Sequence, residues 1–320
     1  MPGRGATFWQ SLIAQTSRRG SRLLALLATL LLLLASSLWP GQHVDTPSMV
    51  CVRHRTPRVV SHRGVDEDAS GAVPTTIHTV TALLESGVTS FDLDLFWAAS
   101  AEGELYIGHP PSLRKLWQLN EDVHALPLTT LSQKAQPHGL LRLRDLLRTL
   151  AGRRRSLGLV SFELKFPDHP DWRQHLRLLY AQVAAARIST QVAGVVLDAA
   201  QAVAHREAQH AAGVRVPLLL VLRDSDAPVG LDGEPHANMS VLAAASGFEG
   251  WSASWKILDS TLRRAAPKGA LASWTVDTEP ALRRAWSLEV DDVVTNRAAW
   301  ARSQLSRWVA EEEAQCHRTG

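Results

Sequence analysis

Cysteine is almost absent from this chain: Cys51 and Cys316 are the only two among 320 residues. With no Cys-x-x-Cys pair and no Cys/His cluster, the sequence argues against a structural zinc site. The two thiols flank the region that reads as folded, and a disulfide or two free thiols are both compatible with that placement. A glycine-rich loop is also missing after the first strand-like run, which argues against a doubly wound nucleotide-binding sheet. Nor is there a broad basic excess. The formal charge of +3 owes to Arg4, Arg18, Arg19 and Arg22, in a stretch without acids. Without those four, 30 basic residues face 31 acidic ones, a balance ill suited to nucleic acid. Arg153-Arg154-Arg155 is a local exception, read as a solvated helix end rather than an anion patch.

One long apolar run is present, Leu23 to Trp39, preceded by the basic residues 1–22. It reads as a signal anchor or signal peptide over 23–39, at the short limit of about 17 residues for spanning a bilayer. Ala35 and Ser37 favour cleavage, whereas the arginine-rich start and Trp39 favour a single-pass type II anchor. The expected location is thus a membrane, or the lumen or exterior reached by secretion. An organelle transit peptide is the runner-up, since no acid precedes Asp45. The sequon Asn238-Met239-Ser240 adds weak support for secretion. Residues 40–57 lack periodicity and read as a linker; 313–320 read as a tail.

Between them, residues 58–312 alternate short β-rich runs with helical patterns. The expected strands are Arg58–His62, Val88–Leu95, Gly158–Lys165, Ala193–Asp198, Arg215–Leu222, Phe248–Ala253, Ala270–Thr275 and Asp291–Thr295. The helical patterns between them include Thr76–Ser86, Leu143–Leu150, Asp171–Ala186, Ala200–Ala212, Met239–Ala245 and Ala298–Glu312. Eight strands, most followed by a helix, over this length predict an α/β fold, a (β/α)₈ TIM barrel. Glu104–His109 forms an extra β-like piece, followed by an irregular stretch, Pro110–Gly139, at the rim where substrates bind.

Two strands carry unusual charges. In Phe91-Asp92-Leu93-Asp94-Leu95 the two acids share one face, as do Glu163 and Lys165 in Phe162-Glu163-Leu164-Lys165. Carboxylates on a buried strand need a partner, and three converging acids make an oxygen-rich site suited to Mg²⁺ or Ca²⁺. His62 ends the first strand, beside Arg63, and His109 ends the extra piece. In a barrel all of these open onto the carboxyl-end face. Two imidazoles suit general acid and base, while Arg63 and Lys165 suit the charge of a phosphate. Trp274 is either core packing or a substrate wall. His169, His205 and His210 read as surface residues.

These motifs resemble the glycerophosphodiester phosphodiesterase and phospholipase C-like superfamily. Ser61-His62-Arg63-Gly64 is similar to its His-Arg-Gly opening, Asp92-Leu93-Asp94 to its Glu-x-Asp pair, and Gly108-His109 to its second histidine. Glu163-Leu164-Lys165 resembles its Glu-x-Lys strand. Trp274-Thr275-Val276-Asp277 resembles its Trp-Thr-Val-Asn strand, and Asp291 to Arg297 its closing Asp-Gly-Ile-Ile-Thr-Asp run. The resemblance implies a metal-dependent phosphodiester hydrolase acting on a small-molecule or lipid phosphodiester, a glycerophosphodiester or lysophospholipid-like substrate. Its metal ligands would be Asp92, Asp94 and Glu163, and its acid and base His62 and His109. The chain departs from the pattern in three places. Asp92 is one carbon shorter than the family's Glu, and Pro110-Pro111 replace an Asp after His109. Pro74-Thr75-Thr76 replaces Glu-Asn-Thr, leaving Asp66, Glu67 or Asp68 to supply that acid. The His-Pro-Pro run is similar to the menorin branch, which implies an alternative: a membrane-tethered barrel that binds a lipid or protein partner without chemistry.

Overall fold

The computed structural model describes residues 54–66, 75–99, 103–136, 139–226, 248–267 and 269–319. The leader at 23–39, the sequon, the helix expected at Met239–Ala245 and Cys51 lie outside the described residues. Among the described residues no helix is long and apolar enough to cross a membrane. Residues Arg53–Ala314 form one compact unit, separate from the rest of the chain.

The larger unit, Arg53–Ala314, is a closed parallel barrel of eight strands. The strands are β1 (Arg58–His62), β2 (Ser90–Phe96), β4 (Val160–Leu164), β5 (Val192–Val196), β6 (Leu218–Leu222), β7 (Gly250–Ser254), β8 (Leu271–Trp274) and β9 (Asp292–Thr295). Each pairs with its neighbour in chain order, and β1 pairs with both β2 and β9, which closes the ring and rules out an open sheet. The two-residue β3 (Tyr106–Ile107) adds antiparallel to β2. Helices α1 (Ile77–Glu85), α4 (Leu143–Gly152), α5 (Trp172–Ala186), α6 (Ala199–Ala211), α7 (Ser260–Ala265), α8 (Glu279–Ser287) and α9 (Ala298–Thr319) follow the strands. The last of these runs seven residues beyond its expected end at Glu312.

The stretch Pro110–Gly139 is not irregular. It holds two helices, α2 (Pro110–Leu116) and α3 (Leu128–Lys134), joined through a 3₁₀ turn at Val123–Ala125. Leu113, Val123 and Leu131 from these elements bury against Phe96 and Tyr106 of the sheet. At about 1.5–3 kcal/mol per buried large apolar side chain, that satellite core suffices to order the rim. The main core lies outside the barrel wall: Phe91, Leu93, Leu95, Phe162 and Leu164 point away from the axis onto the helices. Inside, Val60, Ala272 and Val294 form a small plug beneath Trp274. Opposite facing along each strand therefore separates an apolar wall from a polar mouth.

Acids also occupy the amino end of the barrel, in a different role. Arg58 donates to both oxygens of the buried Asp292 at 2.7 and 2.9 Å, and Arg55 to Asp291 at 2.7 Å. These pairs tie β1 to β9 and make that end structural.

His205 is not a surface residue. It is 1 % exposed, and its Nδ1 lies 2.6 Å from the Tyr180 hydroxyl, which also accepts from Gln209 Nε2 at 3.2 Å. The pair fits because β5 offers Gly194 beneath it: a Cβ there would come within 2.5 Å of Tyr180 Oη and 2.9 Å of His205 Nδ1. Gly194→Ala should therefore destabilise the fold by about 1–3 kcal/mol, read as a lowered Tm. His169 is half-buried against Trp97 and His124, while His210 is exposed as expected.

Candidate active site

Strand register brings the charged residues together. His62 is the partner of Asp92 across β1 and β2, and Asp92 of Ser161 across β2 and β4. One row higher, Asp94 is the partner of Glu163. All eight residues singled out from the sequence line one cavity of about 220 Å³: His62, Arg63, Asp92, Asp94, His109, Glu163, Lys165 and Trp274. Its remaining wall is formed largely by Val195, Leu197, Val221 and Arg223.

The turns that deliver these groups are conformationally costly. Arg63 and Gly64 follow β1 with φ of 60° and 65°, and Phe166 follows Lys165 with φ of 61°. For Arg63 and Phe166, left-handed backbone costs on the order of 1–3 kcal/mol each, and such residues cluster at functional sites. The Arg63 turn is held by Arg63 N–H donating to Asp92 O at 2.6 Å and by Thr75 Oγ donating to Arg63 O at 2.5 Å. It swings the guanidinium over the acids, with Nε 3.4 Å from Asp94 Oδ2.

His109 caps α2, and this explains the two prolines after it. Proline is tolerated in the first helical turn, where the missing N–H has no intrahelical partner. The imidazole takes the capping role in place of a usual Ser or Asp: Ser112 N–H donates to His109 Nδ1 at 3.3 Å. Ser112 Oγ accepts from Arg63 Nη1 at 3.0 Å and lies 2.9 Å from the same Nδ1, so its own hydrogen goes to His109. In the neutral ring Nδ1 is thus the acceptor, and Nε2 carries the proton. Burial holds His109 down to about 4, assisted by Arg63 and Lys165 and opposed by Asp94.

Lys165 Nζ sits between two acids, 2.8 Å from Asp94 Oδ1 and 2.6 Å from Glu163 Oε1. Asp92 instead accepts from Ser161 Oγ at 2.5 Å. Burial pushes Asp92 and Glu163 above the usual carboxylate range, against the pull of His62 on the first and Lys165 on the second. For Asp94 burial also acts upward, but Lys165 outweighs it and the carboxyl is held low. Lys165 is raised: the penalty of burial is exceeded by Asp94 and Glu163.

Three carboxylates share the cavity with Arg63, Lys165 and Arg223, and Asp94 Oδ2, though ion-paired with Arg63 at 3.4 Å, is buried with no hydrogen-bond partner among the described residues. Hard oxygen donors with one orphaned oxygen fit a Mg²⁺- or Ca²⁺-sized ion in their chemistry. They do not form a ready cluster of three ligands among the described residues, since the Lys165 ammonium lies between two of them. Asp66 does not join them. Its Oδ2 accepts from Ala299 N–H at 3.0 Å, capping α9, and the other two candidate acids, Glu67 and Asp68, lie outside the described residues.

Sequence reasoning missed four residues that support the site: Ser112, Ser161, Asp277 and Asn296. His62 Nδ1 lies 2.7 Å from Asn296 Oδ1, and Asn296 is held in turn by Asp277. Asp277 and Asn296 lie within motifs already singled out, so their signal was present without a role. Trp274 is both packing and wall: it covers Val60, Ala272 and Val294, donates from Nε1 to Ser252 O at 2.9 Å, and lines the cavity.

Four histidines are held below their ordinary value by burial: His109 to about 4, His205 to about 3, and His124 and His175 in the same direction. A depressed pKa means the unfolded chain binds protons first, so stability rises with pH. It is fully present above the ordinary value of 6.5 and is lost as pH falls towards the folded values. Tm should fall steadily between pH 7 and 5, with His205 alone contributing about 2 kcal/mol over that span. In His205→Gln the slope of Tm against pH should be shallower; an unchanged slope would exclude this origin.

No family model and no curated protein matches the chain. Solved structures do. A candidate glycerophosphodiester phosphodiesterase from Galdieria sulphuraria aligns with a TM-score of 0.62 at 18% identity, over 80% of this chain and 100% of that one. A glycerophosphodiester phosphodiesterase from Parabacteroides distasonis aligns at 0.60 and 17%, over 80% and 99%. An Oleispira antarctica phosphodiesterase, solved with the product sn-glycerol-3-phosphate, aligns at 0.54 and 15%, over 78% and 97%. At these identities the likeness is one of fold: the barrel is that of solved glycerophosphodiester phosphodiesterases. The menorin-type alternative gains no support from them.

Proposed function

We propose that the chain is a phosphodiester hydrolase acting on glycerophosphodiesters or lysophospholipid-like molecules at a membrane surface reached through its amino-terminal segment. One observation carries the reading: two imidazoles, each engaged through Nδ1 with Nε2 left over, share a small cavity with Arg63, Lys165 and three acids. His62 has Nδ1 engaged and Nε2 left over, the nitrogen that accepts a proton from an attacking hydroxyl. His109 presents Nε2–H, a hydrogen-bond donor that stabilises negative charge on the oxygen of the leaving alcohol, which takes its proton from water as it departs. Arg63 and Lys165 balance the charge gathering on the phosphoryl oxygens. Asp92, Asp94 and Glu163 would hold Mg²⁺ or Ca²⁺, which when bound polarises a phosphoryl oxygen. A cavity of about 220 Å³ takes a phosphodiester headgroup and leaves acyl chains outside.

The test is hydrolysis by the full-length chain in detergent of a panel of glycerophosphodiesters and lysophospholipids, with and without chelator. Release of sn-glycerol-3-phosphate or a lysophosphatidate, suppressed by chelator and restored by Mg²⁺ or Ca²⁺, is expected. No turnover of any member under either condition would overturn the reading.

A further inference from the structure

We infer that Arg223 makes the far wall of the cavity a subsite for a second anionic group. The preferred substrates are then phosphodiesters whose alcohol arm itself carries a phosphate or a carboxylate. Strand order places the residue. β2, β4 and β5 separate β6 from β1 one way round the ring, and β9, β8 and β7 the other. Arg223, immediately after β6, therefore stands across the mouth from His62 and Arg63 at the end of β1. Val221 is the β6 partner of Ser252 and lines the cavity, and a strand repeats its facing every second residue. Arg223 thus carries the facing of Val221 one pleat nearer the mouth.

The two halves of the cavity differ in charge. Asp92, Asp94 and Glu163 all come from β2 and β4, and each is engaged there. Lys165 pairs with Asp94 and Glu163 at 2.8 and 2.6 Å, and Ser161 Oγ donates to Asp92 at 2.5 Å. Among the described residues the half built from β5 to β8 contributes no acid, and Arg223 is its one charge. Burial falls along that wall from Val195, through Leu197 and Val221, to the exposed Arg223. An ester arm leaving a phosphate held beside Arg63 and Lys165 crosses this apolar floor and ends at a guanidinium. The planar fork of donors matches paired phosphate or carboxylate oxygens. A quaternary ammonium fits poorly in the same place. Such headgroups are held by several aromatic faces, and here Trp274 lines the cavity with no other indole or phenyl ring among the described residues.

Binding tests this without turnover. Full-length His62→Ala protein in detergent, at low salt with Mg²⁺ present, is titrated calorimetrically with two matched pairs of probes. Glycerophosphoinositol monophosphate is set against glycerophosphoinositol, and glycerophosphoserine against glycerophosphoethanolamine, so that each pair differs by one anion. The anionic member should bind about tenfold more tightly, the low end for a charge-assisted contact because Arg223 is exposed. A response in the first pair alone identifies a phosphate subsite, in the second alone a carboxylate subsite, and in both a general one. The ratio should shrink as salt rises. Adding Arg223→Gln should bring the members of the responding pair to nearly equal affinity, and Arg223→Glu should reverse their order. Equal affinities within both pairs in the starting protein, no binding of any probe, or a preference that survives in R223E would overturn the inference. Should R223E fail to fold, R223Q decides by the same ratio.

The kinetic part rests on the proposed hydrolysis. With His62 intact, kcat/KM should follow the binding ratios, chiefly through KM, and the ratios should collapse in R223Q. Absence of turnover with the binding ratios preserved would sink the hydrolysis and leave the subsite standing. Turnover with equal kcat/KM within both pairs would sink the subsite and leave the hydrolysis standing.

Discussion

His62→Ala is expected to lose turnover by about 10²–10⁴-fold while the barrel stays folded. In the proposed mechanism the ring contributes Nε2 to the reaction, and it adds little to the core. It lies at a strand end, half-buried, and its ring is hydrogen-bonded among the described residues to Asn296, which keeps its anchor on Asp277 without it. Alanine leaves only the half-buried Asn296 Oδ1 without its partner, and Tm should move by no more than a few degrees. Substrate affinity should change little, because Arg63 and Lys165 remain in place. The comparison variant is His109→Ala, which removes both the second imidazole of the proposed mechanism and a helix cap. It should lose about 1 kcal/mol of stability as well as turnover. Near-normal kcat in His62→Ala, measured by release of the alcohol product, would remove His62 from the chemistry altogether.

The contrast between the two histidines shows where sequence reasoning reaches and where it stops. Alternation of facing along β2 and β4 was enough to place Asp92, Asp94, Glu163 and Lys165 on one side of the wall, because period two is fixed by the backbone. Strand number and spacing likewise predicted the closed barrel. Register between strands was not legible, and register alone sets Asp92 against Ser161 and Asn296 against His62. His109 was expected at the end of a hairpin in an irregular loop; that its imidazole would cap a helix depends on Ser112 three residues on, a spacing with no strong signature when the cap is histidine. His205 was misjudged because a polar residue on a helix with a weak apolar face resembles a solvated one. Its burial depends on the missing Cβ of Gly194, on a different element. Acid-rich Asp291-Asp292 and Asp92-Leu93-Asp94 look alike in composition, yet one pair anchors arginines at the amino end and the other lines the mouth. Only the direction of the strand tells them apart.

Lys165→Met should be the most destabilising single change in the site, and its effect should depend on divalent cations. The ammonium is 2.8 Å from Asp94 and 2.6 Å from Glu163, and the Asp94 side chain is only 10% exposed. Removing one member of a buried ion pair strands the other, at about 3–5 kcal/mol, because the uncompensated carboxylates must either stay charged in a poor solvent or take up protons. Methionine keeps most of the chain volume, so the loss is electrostatic rather than a cavity. In chelator Tm should fall by on the order of 10 °C, and more at pH 8 than at pH 5, where protonation relieves the stranded acids. Adding millimolar Mg²⁺ or Ca²⁺ should then raise Tm of the variant more than that of wild type, since the ammonium no longer competes for Asp94 and Glu163 and any ligand of the folded state stabilises it in proportion to its occupancy. This reads the metal through unfolding, with no substrate present. Equal Tm values for variant and wild type in chelator would show the ion pairs to be inconsequential. A variant that unfolds early and is indifferent to both cations would leave the three carboxylates without a metal to hold.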